Sequence, residues 1–128
     1  MITSLSTDYL IRLKNASLSG NKTVTTPNSN YLRSITECLK KNGFVVDYTV
    51  SEDKRNLIIE LLYTGRIPKI TNVKIFSKPG RRWYERFLSL PWGQSPSSII
   101  IVSTSRGILT QKQAKSAGIG GEIIAEIY

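Results

Sequence analysis

The sequence predicts an α+β protein of two small lobes, the N-terminal one holding two helices and a small β-sheet and the C-terminal one mainly antiparallel β with one short helix. Three observations carry this prediction. Apolar residues recur at helical spacing in two stretches of the first half, the second half holds short strand-sized apolar blocks, and Gly65 with Pro68 interrupts the pattern at mid-chain. The lobes are therefore expected at 1–65 and 66–128.

Ser6 or Thr7 can cap a first helix running through Tyr9, Leu10, Leu13 and Ala16, with Asp8 near its positive end and Arg12 and Asn15 facing elsewhere. Residues 17–29 are polar, although 22–26 can form a short β-branched strand. Ser29 can open a second helix. Leu32, Ile35 and Leu39 form its apolar stripe, Lys40 and Lys41 occupy its last turn, and Gly43 supplies the left-handed stop. Residues 44–50 and 57–63 read as strands joined by the charged turn 51–56.

In the second lobe, 70–76 and 81–84 flank Pro79-Gly80, a pair suited to a type II turn and so to a hairpin. Residues 90–98 are a loop holding Pro91, Gly93 and Pro96, and Ile99 to Val102 is a buried strand. Thr110 with Gln113 has the form of a capping box, and the helix through Ala114 and Ala117 stops at Gly118. Gly118-Ile119-Gly120-Gly121 lacks the Lys-Ser/Thr of a phosphate-binding loop and reads as a helix stop and a tight turn. A last strand, 122–128, alternates Ile123, Ala125 and Ile127 against Glu122, Ile124 and Glu126.

Lys plus Arg number 18 against 9 Asp plus Glu, a formal charge of +9, so polyanions are the expected partners. Much of the excess is local, since Arg66, Lys69, Lys74, Lys78, Arg81, Arg82 and Arg86 face the single acid Glu85 over that stretch. No apolar run approaches the roughly 20 residues of a membrane-spanning helix, and no membrane partner is expected. The chain has no histidine, which removes the commonest general base and metal ligand together, and its one cysteine, Cys38, reads as a small buried hydrophobe. Neither catalysis, a metal site nor a cofactor is expected.

Two segments carry recognition chemistry. Ser77-Lys78-Pro79-Gly80-Arg81-Arg82-Trp83-Tyr84 joins a rigid turn, three cations and two aromatics, of which one is expected in the core; the cations can neutralise phosphates while a ring stacks on a base or sugar. Val102-Ser103-Thr104-Ser105-Arg106-Gly107-Ile108-Leu109-Thr110 runs from a buried strand into three hydroxyls, a cation and a glycine. Hydroxyls can bond base edges and 2′-hydroxyls in the shallow RNA minor groove, but composition alone fits equally a Ser/Thr loop that merely caps the next helix.

Val102 to Thr110, the downstream Gly118-Ile119-Gly120-Gly121-Glu122, and Ser77-Lys78-Pro79-Gly80 with Tyr84 closely resemble small-subunit ribosomal protein eight in its bacterial form. Asp8-Tyr9-Leu10-Ile11-Arg12-Leu13-Lys14-Asn15-Ala16 is similar to that family's first helix, and Pro27 with Ser29 to its turn before helix two. The chain departs from the family pattern near Ser6-Thr7, where the Asp-Pro usual before helix one is absent, and at Ile11, Asn30 and Pro96-Ser97-Ser98. The resemblance implies a non-catalytic structural protein of the small ribosomal subunit, cytoplasmic or in an organellar ribosome, that binds the central domain of small-subunit rRNA early in assembly. By position it implies that Ser103, Thr104, Ser105 and Gly107 contact the RNA, that Glu122 braces that loop or meets RNA, and that Tyr84 with Lys78 and Arg82 lines the same site; Arg106, Thr110 and Arg81, in the same two segments, are expected to contact RNA with them. Arg12, Asn15 and Ser29 would touch a second RNA region. Neighbouring ribosomal proteins five and seventeen, and the protein's own messenger RNA, are further implied partners. From another class, the alternative is a basic protein-binding adaptor using the second lobe's sheet edge.

Overall fold

A computed structural model describes residues 2–77, 80–93 and 97–128, with side chains from residue 5 onward. The chain forms two compact units, Asp8–Thr71, and Asn72–Tyr128 grouped with Met1–Thr7.

Helix α1 spans Ile2–Leu18, so it begins before Ser6 and Thr7, and neither caps it. Ser6 is buried within the helix instead, on the stripe continued by Tyr9, Leu10, Leu13 and Ala16. The small hydroxyl is tolerated there, and the buried face therefore starts a turn earlier than its apolar residues reveal. Strand β1, Thr23–Pro27, buries Val24 and Thr26 on one face. Helix α2, Asn30–Lys41, is capped by Ser29, whose Oγ accepts from the Leu32 N–H at 3.1 Å. It ends in a Schellman motif, in which Phe44 N–H reaches Leu39 O at 2.9 Å and Gly43 N–H reaches Lys40 O at 3.1 Å. The left-handed φ of +78° at Gly43 makes that closure inexpensive.

Strands β2, Val45–Val50, and β3, Asn56–Leu61, form the expected hairpin, and β1 joins it in the order β1-β3-β2. Within this unit Leu10, Leu13, Leu32, Ile35, Leu39, Leu57 and Ile59 are fully buried, and the Tyr9 and Thr36 hydroxyls hydrogen-bond each other in the interior. The break at Gly65 and Pro68 is a small hairpin of its own, β4 (Tyr63–Thr64) against β5 (Ile67–Pro68), with Ile70 buried beyond it.

The second unit is organised around β10, Gly121–Ile127, which pairs on one edge with β8, Ile99–Thr104. Strand β9, Gly107–Thr110, extends the sheet beyond β8. The other edge of β10 carries β6, Val73–Ile75, and β7, Tyr84–Glu85, both antiparallel to it. Strands β6 and β7 therefore do not pair with each other. Both run in the same direction along that edge, so Val73–Ile75 and Tyr84–Glu85 are neighbours end to end and not partners. Pro79 lies outside the described residues, and Gly80 has φ +79°.

Nor does β10 alternate buried and exposed residues, because Ile123 to Ile127 are all buried and a bulge interrupts its register with β8 between Ile123 and Ala125. Even Glu126 is interior, its Oε2 accepting from Ser98 Oγ at 2.9 Å. A 3₁₀ turn, Phe87–Ser89, precedes Leu90. Leu90, Ile100, Val102, Ala114 and Ile123 form the core on one face, packed by Phe76, Trp83, Phe87 and Leu109. Helix α3, Gln111–Ala117, has the expected capping box and stops at left-handed Gly118. Pro96, in the expected loop 90–98, lies outside the described residues.

Candidate RNA-binding site

The segment expected as a loop after Val102 is a tight hairpin between β8 and β9, with Thr104 opposite Gly107 and only Ser105 and Arg106 at its tip. Neither tip residue has positive φ, whereas Gly107 has φ +104°, so the glycine absorbs the twist that lets the strands close. Thr104 holds the turn from within. Its Oγ1 donates to Gly107 O at 2.8 Å and accepts from Arg106 N–H at 3.1 Å. Ser105, Arg106 and Gly107 are exposed, and among the described residues nothing bonds the Ser103 or Ser105 hydroxyl.

Behind the tip, the register places Tyr84, Glu122 and Ser103 directly opposite one another on β7, β10 and β8. Directly opposed residues share a sheet face, so an aromatic ring, a carboxylate and a hydroxyl form one row. Tyr84 is 60% exposed. Glu122 is half-buried, and its Oε2 is shielded from solvent without a hydrogen-bond partner among the described residues.

Gly120 and Gly121 explain how three strands converge so closely. A Cβ on Gly121 would lie 2.1 Å from Ser103 O, and one on Gly120 would lie 2.2 Å from Glu85 O and 2.6 Å from Arg86 Cα. These residues lead into and begin β10 instead of making the expected tight turn, and they admit backbone where any side chain would block it. Sequence reasoning missed that role, because glycines beside a helix stop look alike whether they turn or pack. Beside Tyr84 opens a groove of about 740 Å³ walled by Arg86, Phe87, Leu88, Gly120 and Gly121, also unforeseen.

Arg81 and Arg82 are exposed on the returning segment, while Trp83 is the expected core aromatic. Its ring meets Phe76 edge-on at 5.3 Å and its Nε1 donates to Glu85 Oε2 at 3.0 Å. Lys78 lies outside the described residues. Thr110 sits apart from this surface, being 3% exposed with its hydroxyl accepting from Gln113 N–H at 3.2 Å. It secures α3 behind the hairpin and has no face to offer a partner.

In the other unit, Arg12 and Asn15 are exposed along a groove of about 470 Å³ that also holds Asp8, Ile11 and Asn21. Arg12 is steadied by an Nη1 bond to Thr25 O at 3.0 Å. Ser29 spends one lone pair on its helix cap and keeps its proton to donate. Chemistry of other kinds finds no support in either unit. Burial pushes the Cys38 thiol up to about 11, so it stays protonated and unreactive at neutral pH. Among the described residues no cluster of acids, cysteine or histidine could hold a metal, and no helix is long and apolar enough to cross a membrane.

Fold and surface together define a small basic α+β protein whose exposed hydroxyls, cations and aromatic are set on a rigid sheet for recognition. Comparison with known proteins gives the family: residues 5–128 match the ribosomal protein S8 family, and the chain belongs to it. The small ribosomal subunit protein uS8 of Mycoplasma mobile is 41% identical across 100% of this chain and 98% of its own length. Its counterpart in Thermosynechococcus vestitus is 41% identical over 94% of each chain, and that of Corynebacterium efficiens 39% over 94% of each. The family is one of ribosomal proteins and not of enzymes.

Proposed function

We propose that this protein is a structural constituent of the small ribosomal subunit that binds the central domain of its rRNA and stabilises that domain during assembly. The observation that carries the reading is the row of Tyr84, Glu122 and Ser103 across β7, β10 and β8, which sets a carboxylate acceptor behind the exposed Ser105-Arg106 tip. An acceptor of this kind repels phosphate, so its partner is a 2′-hydroxyl or a base amino group, the donors an RNA minor groove presents. Ser103 and Ser105 address the same groove, with Arg106, Arg81 and Arg82 placed to neutralise flanking phosphates. Tyr84 supplies a ring for a sugar or base, and Lys78 is proposed as a further cation for phosphate on the strength of the family resemblance. The N-terminal unit meets a second RNA region through Arg12, Asn15 and the Ser29 hydroxyl. Ribosomal proteins five and seventeen are the proposed neighbours, and the protein's own messenger RNA a further ligand, on the strength of the family resemblance.

Co-sedimentation tests the reading. The protein should pellet with small subunits at moderate salt and bind an isolated central-domain RNA fragment in preference to an unrelated duplex. A protein that stays in the soluble fraction and shows no such preference would favour the adaptor reading instead.

A further inference from the structure

We infer that Ser77 is a positioning residue for Tyr84, its hydroxyl inserted into the β-ladder between β7 and β10 in place of a direct backbone hydrogen bond. Continuing the register Tyr84 to Glu122 by one step sets Trp83 opposite Ile123. In an antiparallel pair of this type the two residues exchange both N–H···O bonds. Only one is direct here, from Ile123 N–H to Trp83 O at 2.8 Å. The other runs through Ser77, whose Oγ accepts from Trp83 N–H at 3.0 Å and donates to Ile123 O at 2.6 Å. Ser77 is 1% exposed, so this relay does the work of a bridging water with a group the chain itself supplies.

The relay lies beside the bulge that β10 makes against β8. Ile124 O receives both Phe76 N–H at 3.0 Å and Ser77 N–H at 3.2 Å, so β6 ends where the register of β10 shifts. A hydroxyl fits the gap because it donates and accepts at once. Alanine would leave Trp83 N–H and Ile123 C=O unpaired in a dry site, and the freed strand would carry Tyr84 out of line with Glu122. This inference rests on the RNA reading of Tyr84 for its functional half and on geometry alone for its structural half.

The test uses full-length Ser77→Ala, Ser77→Cys, Tyr84→Ala and the Ser77→Ala/Tyr84→Ala double variant. Without RNA, Ser77→Ala should speed amide exchange at Trp83 about tenfold or more relative to the Val102 amide, with Ser77→Cys, a weak donor of similar shape, between it and the parent. Against a central-domain rRNA fragment at fixed salt, Ser77→Ala should weaken binding about tenfold in the parent and have no further effect once Tyr84 is alanine. Unchanged protection at Trp83 in both Ser77 variants would overturn the inference whatever happens to RNA. An equal binding loss with and without Tyr84 would make Ser77 a general stability residue and overturn the positioning role. Parent-like affinity of Tyr84→Ala would instead overturn the RNA reading of Tyr84, leaving exchange at Trp83 to report the relay by itself.

Discussion

Replacing Gly121 by alanine adds one methyl group at the point where β10 meets β8. That methyl would lie 2.1 Å from Ser103 O, 2.9 Å from Ser103 C and 3.2 Å from Thr104 Cα. All three are backbone atoms, so no side chain can rotate away, and the strands must part by about 1 Å to restore ordinary contact. Inserting a methyl into packed structure typically costs about 1–3 kcal/mol, and the upper end applies when only backbone can yield. The same displacement separates Ser103 from Glu122, whereas a binding constellation tolerates only about 0.5 Å. Both stability and RNA affinity should therefore fall. The assay is paired, a urea midpoint without RNA and affinity for a central-domain fragment under conditions where each variant is folded. Gly118→Ala is the control: its Cβ meets nothing within 4 Å, but φ is +70°, so it should lower stability by about 1–2 kcal/mol and leave affinity unchanged. A Gly121→Ala protein with parental midpoint and parental affinity would refute the reasoning.

Ser105→Ala removes an exposed hydroxyl, so it should cost about 1–3 kcal/mol of RNA binding with little change in the denaturation midpoint; the reverse pattern would make Ser105 structural. Thr110→Ala should do the opposite, losing about 1 kcal/mol of stability with the cap and sparing RNA affinity of the folded protein, as denaturation and titration would show. Arg82→Glu should weaken binding to cognate and unrelated duplexes alike and flatten the salt dependence, whose slope falls by about 0.7–0.9 in log K for each phosphate that is no longer neutralised. Burial holds the Cys38 thiol protonated up to about 11, above the roughly 8.5 of an unfolded thiol, so its contribution is complete below the lower value and lost as pH rises through the higher one. Denaturation midpoints measured across that window should fall less steeply in Cys38→Ala.

The parts of the fold that were legible are those set by local signals. The Ser29 cap, the α2 stripe, the glycine stop at Gly43, the capping box of Thr110 and Gln113, and the buried run from Ile99 to Val102 each follow from residues within a few positions. What periodicity could not show is how β6 and β7 share one edge of β10. A side-chain hydroxyl distant in sequence from Ile123 replaces one of the bonds that would define the pairing of β7 with β10, and no local pattern signals it. Gly120 and Gly121 were hidden for a related reason: their meaning is an approach between strands, and no local pattern distinguishes that from a turn. Ser103 to Gly107 could be picked out by composition, whereas their tight hairpin and alignment with Glu122 and Tyr84 depend on sheet register.

That register also separates the hydroxyls by what each can still do. Thr104 has given its proton to Gly107 O and taken Arg106 N–H, so at most one lone pair remains for an outside donor. Ser105, one residue on, keeps both donor and acceptor capacity at the exposed tip. Neighbouring residues of nearly identical chemistry thus differ in what they can do, Thr104 fixing the turn while Ser105 is left free for the proposed RNA contact. The arrangement is preorganised, because Thr104, Gly107 and the glycines of β10 hold the tip before any RNA arrives, and association then orders few additional side chains. Affinity falls in two distinguishable ways from such a site. On the proposed RNA reading, removing Ser105 deletes one hydrogen bond from an intact scaffold, while removing Thr104 loosens the scaffold itself, so Thr104→Ala should lower both the midpoint and the affinity where Ser105→Ala lowers only the second.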